Sequence, residues 1–165
     1  MSSSIDILAP GHNKRDVPAN ALILGYSGLL PFIAGAALCH PIAAEYRPFG
    51  ATLLIDYGAI ILSFMGGVHW GAAMMLNGGD NGKLAKSVLP SLASLAGILV
   101  GGPAGLLILA IGFIGLLLYD EYEVKKGQLA RWYPYLRRPL TTIVVISLLF
   151  GAYAQSIVSM RYRPQ

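Results

Sequence analysis

A chain of 165 residues is short enough to be one soluble domain, but 55% of it is hydrophobic, only 12% is charged, and its mean hydropathy is +0.61. A water-soluble domain carries roughly a quarter of its residues charged, because it cannot bury so much apolar surface within itself. The composition excludes a soluble globule and leaves lipid as the solvent. The net charge of +4 would hint at nucleic acid in a soluble protein; here the basic residues stand between apolar runs and read as topology and headgroup signals, so no nucleic-acid partner is expected.

Residues 1–16 are polar and of mixed charge, without the Arg-rich, acid-poor character of a mitochondrial transit peptide, which favours a bacterial source and a cytoplasmic tail. The apolar run from Val17 to Cys39 is longer than the roughly 7–15 residues of a signal-peptide core and reads as an uncleaved first span. Crossing ~30 Å of hydrocarbon takes about 20 helical residues. Five stretches meet or approach that length: residues 18–39, 51–76, 84–100, 104–119 and 140–160. The expected fold is an all-α, polytopic bundle of about five transmembrane helices forming one domain over residues 17–160, with a short outward tail at 161–165.

Pro31 in the first span and Pro90 in the third each remove a helix hydrogen bond. Only Gly101, Gly102 and Pro103 separate the short third and fourth segments, so a re-entrant hairpin is the alternative to two crossings there. Either arrangement leaves the sidedness of the loops unchanged. Lys14, Arg15, Lys83, Lys86, Lys125, Lys126, Arg131, Arg137 and Arg138 fall on one side, against Arg47, Arg161 and Arg163 on the other. The positive-inside rule then puts the N-terminus in and the C-terminus out; with the N-terminal composition above, a bacterial inner membrane is expected rather than a mitochondrial one.

The second segment carries the most chemistry. Ala59, Ser63, Gly67 and Gly71 recur every four residues, a small-residue stripe expected to meet another helix. The fourth segment, with Gly101, Gly105, Gly112 and Gly115, is the natural partner. Asp56 is a carboxylate in an apolar span, but a shallow one, where water or Arg47 would satisfy it. His69, followed by Trp70 and flanked by glycines, lies deeper; its functional reading is proton handling or ligand contact, its structural reading a bond to a neighbouring helix. Asp56 and His69 are 13 residues apart, about 20 Å along the helix and about 140° around it, so they do not form one site.

No cofactor or metal is expected. Cys39 is the only cysteine, Leu38 stands where a lipoprotein cleavage site would place a small residue, and the three histidines lie at different depths, which excludes bis-histidine haem ligation. Cys39, His40, Glu45 and Asp56 gather near the outer surface, but their spacing matches no metal-binding pattern. The sequence holds no P-loop, no Gly-x-Ser-x-Gly elbow and no His-Glu-x-x-His. Between Tyr119 and Arg138, aromatic rings alternate with cations, and Lys125, Lys126, Arg131, Trp132, Arg137 and Arg138 are expected to contact lipid headgroups.

Three blocks carry a resemblance. They are Leu24-Gly25-Tyr26-Ser27-Gly28-Leu29-Leu30-Pro31-Phe32, then Tyr57 through Gly71 ending in Gly66-Gly67-Val68-His69-Trp70-Gly71, then Ser87-Val88-Leu89-Pro90-Ser91-Leu92. With Asp120, Trp132-Tyr133, Arg137 and Leu140-Thr141, they resemble the uncharacterised membrane family DUF3429 over most of residues 18–145. Members often carry a Trp after the third block, where this chain has Ser94 and Leu95. The resemblance implies the membrane fold and an energy-coupling membrane, supplies no mechanism, and points to His69, Trp70 and Asp120 as residues to carry over. The expected role is an accessory or assembly subunit packing against a larger membrane complex or forming a homo-oligomer. The alternatives are a small proton-coupled transporter using His69 and Asp56, and an enzyme or binder acting on lipid or quinone.

Overall fold

The computed structural model describes residues 17–76 and 81–161; the expected tails at 1–16 and 162–165, and positions 77–80, lie outside the described residues. The described chain is all helical: α1 (Ala19–Ser27), α2 (Leu30–Leu38), a 3-10 segment (Pro41–Tyr46), α3 (Arg47–Leu76), α4 (Asn81–Val100), α5 (Gly102–Lys125) and α6 (Tyr133–Arg161). These make five stretches long and apolar enough to cross a membrane, with α1 and α2 together forming the first. Successive stretches alternate in direction. The starts of α1, α4 and α6 and the ends of α3 and α5 therefore share one end, called here the basic end.

The first span is broken rather than bent. Gly28 closes α1 and Pro31 lies in the first turn of α2, where its missing N–H removes no helical bond. The Gly28 carbonyl at the break accepts from the Tyr57 hydroxyl at 3.1 Å, which satisfies a backbone group that lipid could not. Pro90, by contrast, sits within an uninterrupted α4. The third and fourth segments are two full helices of 20 and 24 residues, about 30 and 36 Å long. Their turn is made by Gly101 and Gly102 at φ 63° and 55°, a backbone conformation that favours glycine.

Buried Phe32, Leu54, Leu62, Leu106, Leu109, Phe113 and Leu148 form the centre. Phe32 meets Tyr57 and Phe113 edge-on, with centroids 5.1 and 6.0 Å apart. Since lipid tails are as apolar as the core, helix association here relies on close backbone approach. A Cβ on Gly50 would stand 2.7 Å from Leu38 Cβ and 2.8 Å from the Gly35 carbonyl, and one on Gly66 would stand 2.8 Å from the Ser87 carbonyl. Gly105 abuts Gly97 of α4, and Gly112 faces Leu62 of α3.

The small-residue stripe of α3 does not stay on one packed face. Ala59 is buried, and Ser63 bonds Ser91 of α4 at 3.0 Å. A Cβ on Gly67 or Gly71 would meet nothing within 4 Å, and neither would one on Gly115 of α5. The reason is periodicity: each four-residue step advances about 40° around a helix, so three steps carry the stripe about 120° off the contact. The close glycine approach on this part of α3 is made by Gly66, and against α4 rather than the fourth segment, α5, expected of the stripe.

These contacts give an expected contrast. Gly50→Leu forces a side chain onto the backbone of α2 and should lower stability by about 1–3 kcal/mol or more, whereas Gly67→Leu should leave it within about 0.5 kcal/mol. Thermal unfolding of the detergent-solubilised chain measures both.

Candidate functional site

At the basic end three helices each deliver one ionisable or imidazole side chain to a common point. His69 comes from α3, Asp120 from α5 and Arg137 from α6, and their exposures are 6%, 1% and 6%. His69 Nε2 lies 2.7 Å from Asp120 Oδ1, and Arg137 Nε donates to Asp120 Oδ2 at 2.8 Å. An ionised carboxylate only accepts, so in this contact His69 Nε2 carries the hydrogen and donates to Asp120. The Tyr119 ring lies 4.8 Å from the His69 ring.

Helix boundaries make this meeting possible. Asp120 is helical because α5 runs on to Lys125 and closes at Gly127, φ 73°, with Gly127 N–H donating to Val124 and Gln128 N–H to Glu123. This is a Schellman close, which satisfies the terminal carbonyls. Arg137 is helical because α6 begins at Tyr133, with Pro139 accommodated inside it. Adjacent positions on a helix point about 100° apart: Arg138 faces outward to Glu121 at 2.8 Å, while Arg137 turns inward.

Arg137 therefore does not stand among the exposed cations of the leaflet surface, as its basic, aromatic-rich neighbourhood suggests; it is the buried counter-ion of Asp120. Lys125, Lys126, Arg131 and Arg138 are exposed, and the Lys126 ammonium lies 4.3 Å over the Tyr122 ring. Trp132 is half-buried against the core rather than fully in the interface. Trp70 stands on the exposed side of α3.

A second ionic contact borders the cluster. Glu123, 5% exposed, lies 3.7 Å from Lys83 of α4. A cavity of about 10 Å³ lies among His69, Lys83, Glu123 and Gln128, close to the smallest space that holds one water. Each acid of α5, namely Asp120, Glu121 and Glu123, thus meets a cation from another helix.

Asp56 is elsewhere, on the exposed face of α3, about 14 Å from the helix start. Arg47, at that start, does not reach it, and Arg47 Nε is itself buried without a hydrogen-bond partner. At the opposite end from the cluster, Cys39 is fully buried.

The architecture is that of a polytopic helical membrane protein organised around an internal ionic cluster. The chain belongs to the family of proteins of unknown function DUF3429, whose model matches residues 17–153. It is similar to transmembrane protein 69 of Xenopus tropicalis, 34% identical over 147 residues covering 87% of this chain and 57% of that protein. It is also similar to transmembrane protein 69 of Mus musculus, 31% identical over 147 residues covering 86% and 59% of the two chains. The chain spans a little under three fifths of the length of these curated relatives. No solved structure matches. The protein is thus an integral membrane protein of a family with no established activity.

The ionic cluster makes its own prediction. Removing one partner of a buried ion pair leaves the other charge uncompensated, at about 3–5 kcal/mol, whereas apolar replacement of both is far milder. Asp120→Ala should strongly destabilise the chain, and Asp120→Leu combined with Arg137→Leu should recover much of the loss. Thermal unfolding of the single and double variants reads the coupling.

Proposed function

We propose that this chain is a non-catalytic subunit of a larger membrane assembly, docking through the outward face of α3 against a transmembrane helix of another protein. The carrying observation is the composition of that face. Asp56, Ile60, Phe64 and Gly67 lie on it, exposed, with Gly71 beside them. Gly67 and Gly71 form a small-x-x-x-small pair with open space above it, the geometry that lets a second helix approach closely.

Asp56 defines the chemistry of the partner. The helix is 30 residues long, about 45 Å, so with ~30 Å of it in hydrocarbon Asp56 falls about one turn below the interface. Among the described residues it has no ion-pair or hydrogen-bond partner. A carboxylate at that depth favours a partner helix carrying a cation or hydrogen-bond donor at the same level. A second copy of this chain in parallel would set carboxylate beside carboxylate, which disfavours a symmetric pairing on this face.

The excess of Lys and Arg at the basic end supports the N-in, C-out orientation, and the polar, mixed-charge residues 1–16 favour the plasma membrane of a bacterium. The proton-coupled reading through His69 and Asp56 gains no support, because His69 is buried and Asp56 exposed on different sides of α3.

The test is co-purification from native membranes in a mild detergent. Wild-type chain should emerge with a stoichiometric membrane protein, and Gly67→Leu, Gly71→Leu and Asp56→Asn should release it while unfolding temperature stays unchanged. A monodisperse lone monomer would sink the proposal. The orientation is checked separately: a phosphatase that folds only outside the cytoplasm should be active when fused after Gln165 and inactive when fused before Met1.

A further inference from the structure

Beside the ionic cluster, towards the bundle centre, lies a cavity of about 250 Å³ bounded by α1, α2, α3, α5 and α6. Its wall is almost wholly apolar, with Phe32, Met65, Phe113, Leu140 and Val144 among the lining residues. Exposed Leu24 and Phe64 also line it, so it opens toward the lipid. The volume falls just below the roughly 300–1,000 Å³ of small-molecule sites. It would hold the polar head and first part of a chain, with the remainder in the bilayer.

Besides the Tyr133 phenol, two polar residues, Arg137 and Thr141, break the apolar wall. They stand one turn apart on α6, so their side chains share a face. Arg137 Nη2 and Thr141 Oγ1 are both buried and without a hydrogen-bond partner. Thr141 is only 2% exposed.

The missing bond at Thr141 contrasts with the other hydroxyls. Among the described residues, every other buried or half-buried serine or threonine hydroxyl has one. Ser87, Ser94, Ser147 and Ser156 donate to a carbonyl of their own helix, and Ser63 and Ser91 bond each other. Thr142, next along α6, donates to the Arg138 carbonyl. Thr141 thus keeps a donor free at the place where the guanidinium also keeps one free. In a medium without water both need an acceptor.

Charge decides which acceptor. Asp120 already neutralises Arg137, so the guanidinium facing the cavity carries no unpaired charge. An anionic head would add an uncompensated charge in low dielectric. We infer that this cavity binds the head of a neutral lipid through a carbonyl oxygen, which accepts from Arg137 Nη2 and Thr141 Oγ1 while the attached chain lies along the apolar wall.

A carbonyl in this setting comes either from a quinone ring or from an acyl ester, and one experiment separates them. The delipidated full chain in a maltoside detergent is titrated with a decyl-substituted benzoquinone, with 1,2-dioctanoylglycerol, and with dodecane, which has a chain and no oxygen. Thermal unfolding and native mass spectrometry report binding. A saturable rise in unfolding temperature with the quinone assigns a quinone site, and one with the glycerol ester assigns a lipid-ester site.

Thr141→Val should weaken whichever probe binds by about tenfold. It should leave the ligand-free chain as stable as before, because it deletes an unbonded hydroxyl. Thr141→Ser should bind like wild type, and Val144→Phe should abolish binding by filling the space. No shift with either carbonyl probe, an equal shift with dodecane, or unchanged affinity in Thr141→Val would each overturn the inference.

Discussion

The fold turns on where the Asp120 carboxylate can be placed. At 1% exposure on a membrane helix, an ionised carboxylate is tolerated only if donors surround it. Two helices must therefore bring donors to its depth, and their positions are constrained together. Helix α6 has to begin early enough for Arg137 to be helical and inward-facing, and α3 has to rotate until His69 faces the bundle. The second requirement has a consequence on the far side of the same helix. Positions two residues before and after His69 lie about 160° away from it, so turning the imidazole inward sends Gly67 and Gly71 outward. The open glycine face and the buried cluster arise from one rotational choice.

The charges at the basic end divide by depth. Arg138 with Glu121 is an exposed pair, of the kind that contributes little to stability. Arg137 with Asp120 is buried, and breaking it is far costlier than never having it. Such a pair adds little net stability over an apolar one but discriminates strongly against any arrangement in which α5 and α6 slip by a turn. The positive-inside argument is unaffected by this pairing, because it counts Lys and Arg rather than net charge.

Much of the fold was legible in the sequence. The span count follows from apolar run length, which in lipid is a nearly sufficient signal. The span ends were less legible: Asp120, Glu123 and Arg137 look like the edge of the membrane, and each is tolerated inside a helix because its partner sits on another helix, while Pro139 looks like a helix boundary and lies inside α6. His69 and Asp120 were each marked by family resemblance, but they are 51 residues apart, and no local pattern announces their contact. Arg137 reads from the sequence as one of the surface cations, because its inward turn depends on α6 starting at Tyr133. A fairer hint was available in the numbers: three acids near the end of α5 face cations on α4 and α6 at the same end. The four-residue stripe on α3 misled because a spacing of four drifts around a helix of 3.6 residues per turn.

The break between α1 and α2 explains how a cavity survives in so tightly packed a bundle. Gly25 of α1 leans on Leu136 and Leu140 of α6, where a Cβ would come within 3.3 and 2.9 Å of their methyls. Gly35 of α2 leans instead on Leu54 and Gly50 of α3, at 2.9 and 3.2 Å. Ten residues separate these glycines, so on one straight helix they would face directions about 80° apart, and a single rod would not press both against their neighbours. Ending α1 at Gly28 and restarting at Leu30 lets each half take its own partner. The freed carbonyl goes to Tyr57, so the break leaves no unmet backbone acceptor at Gly28. Between the two points of contact the halves do not close on α6, and Phe32, Arg137 and Thr141 line the space that results.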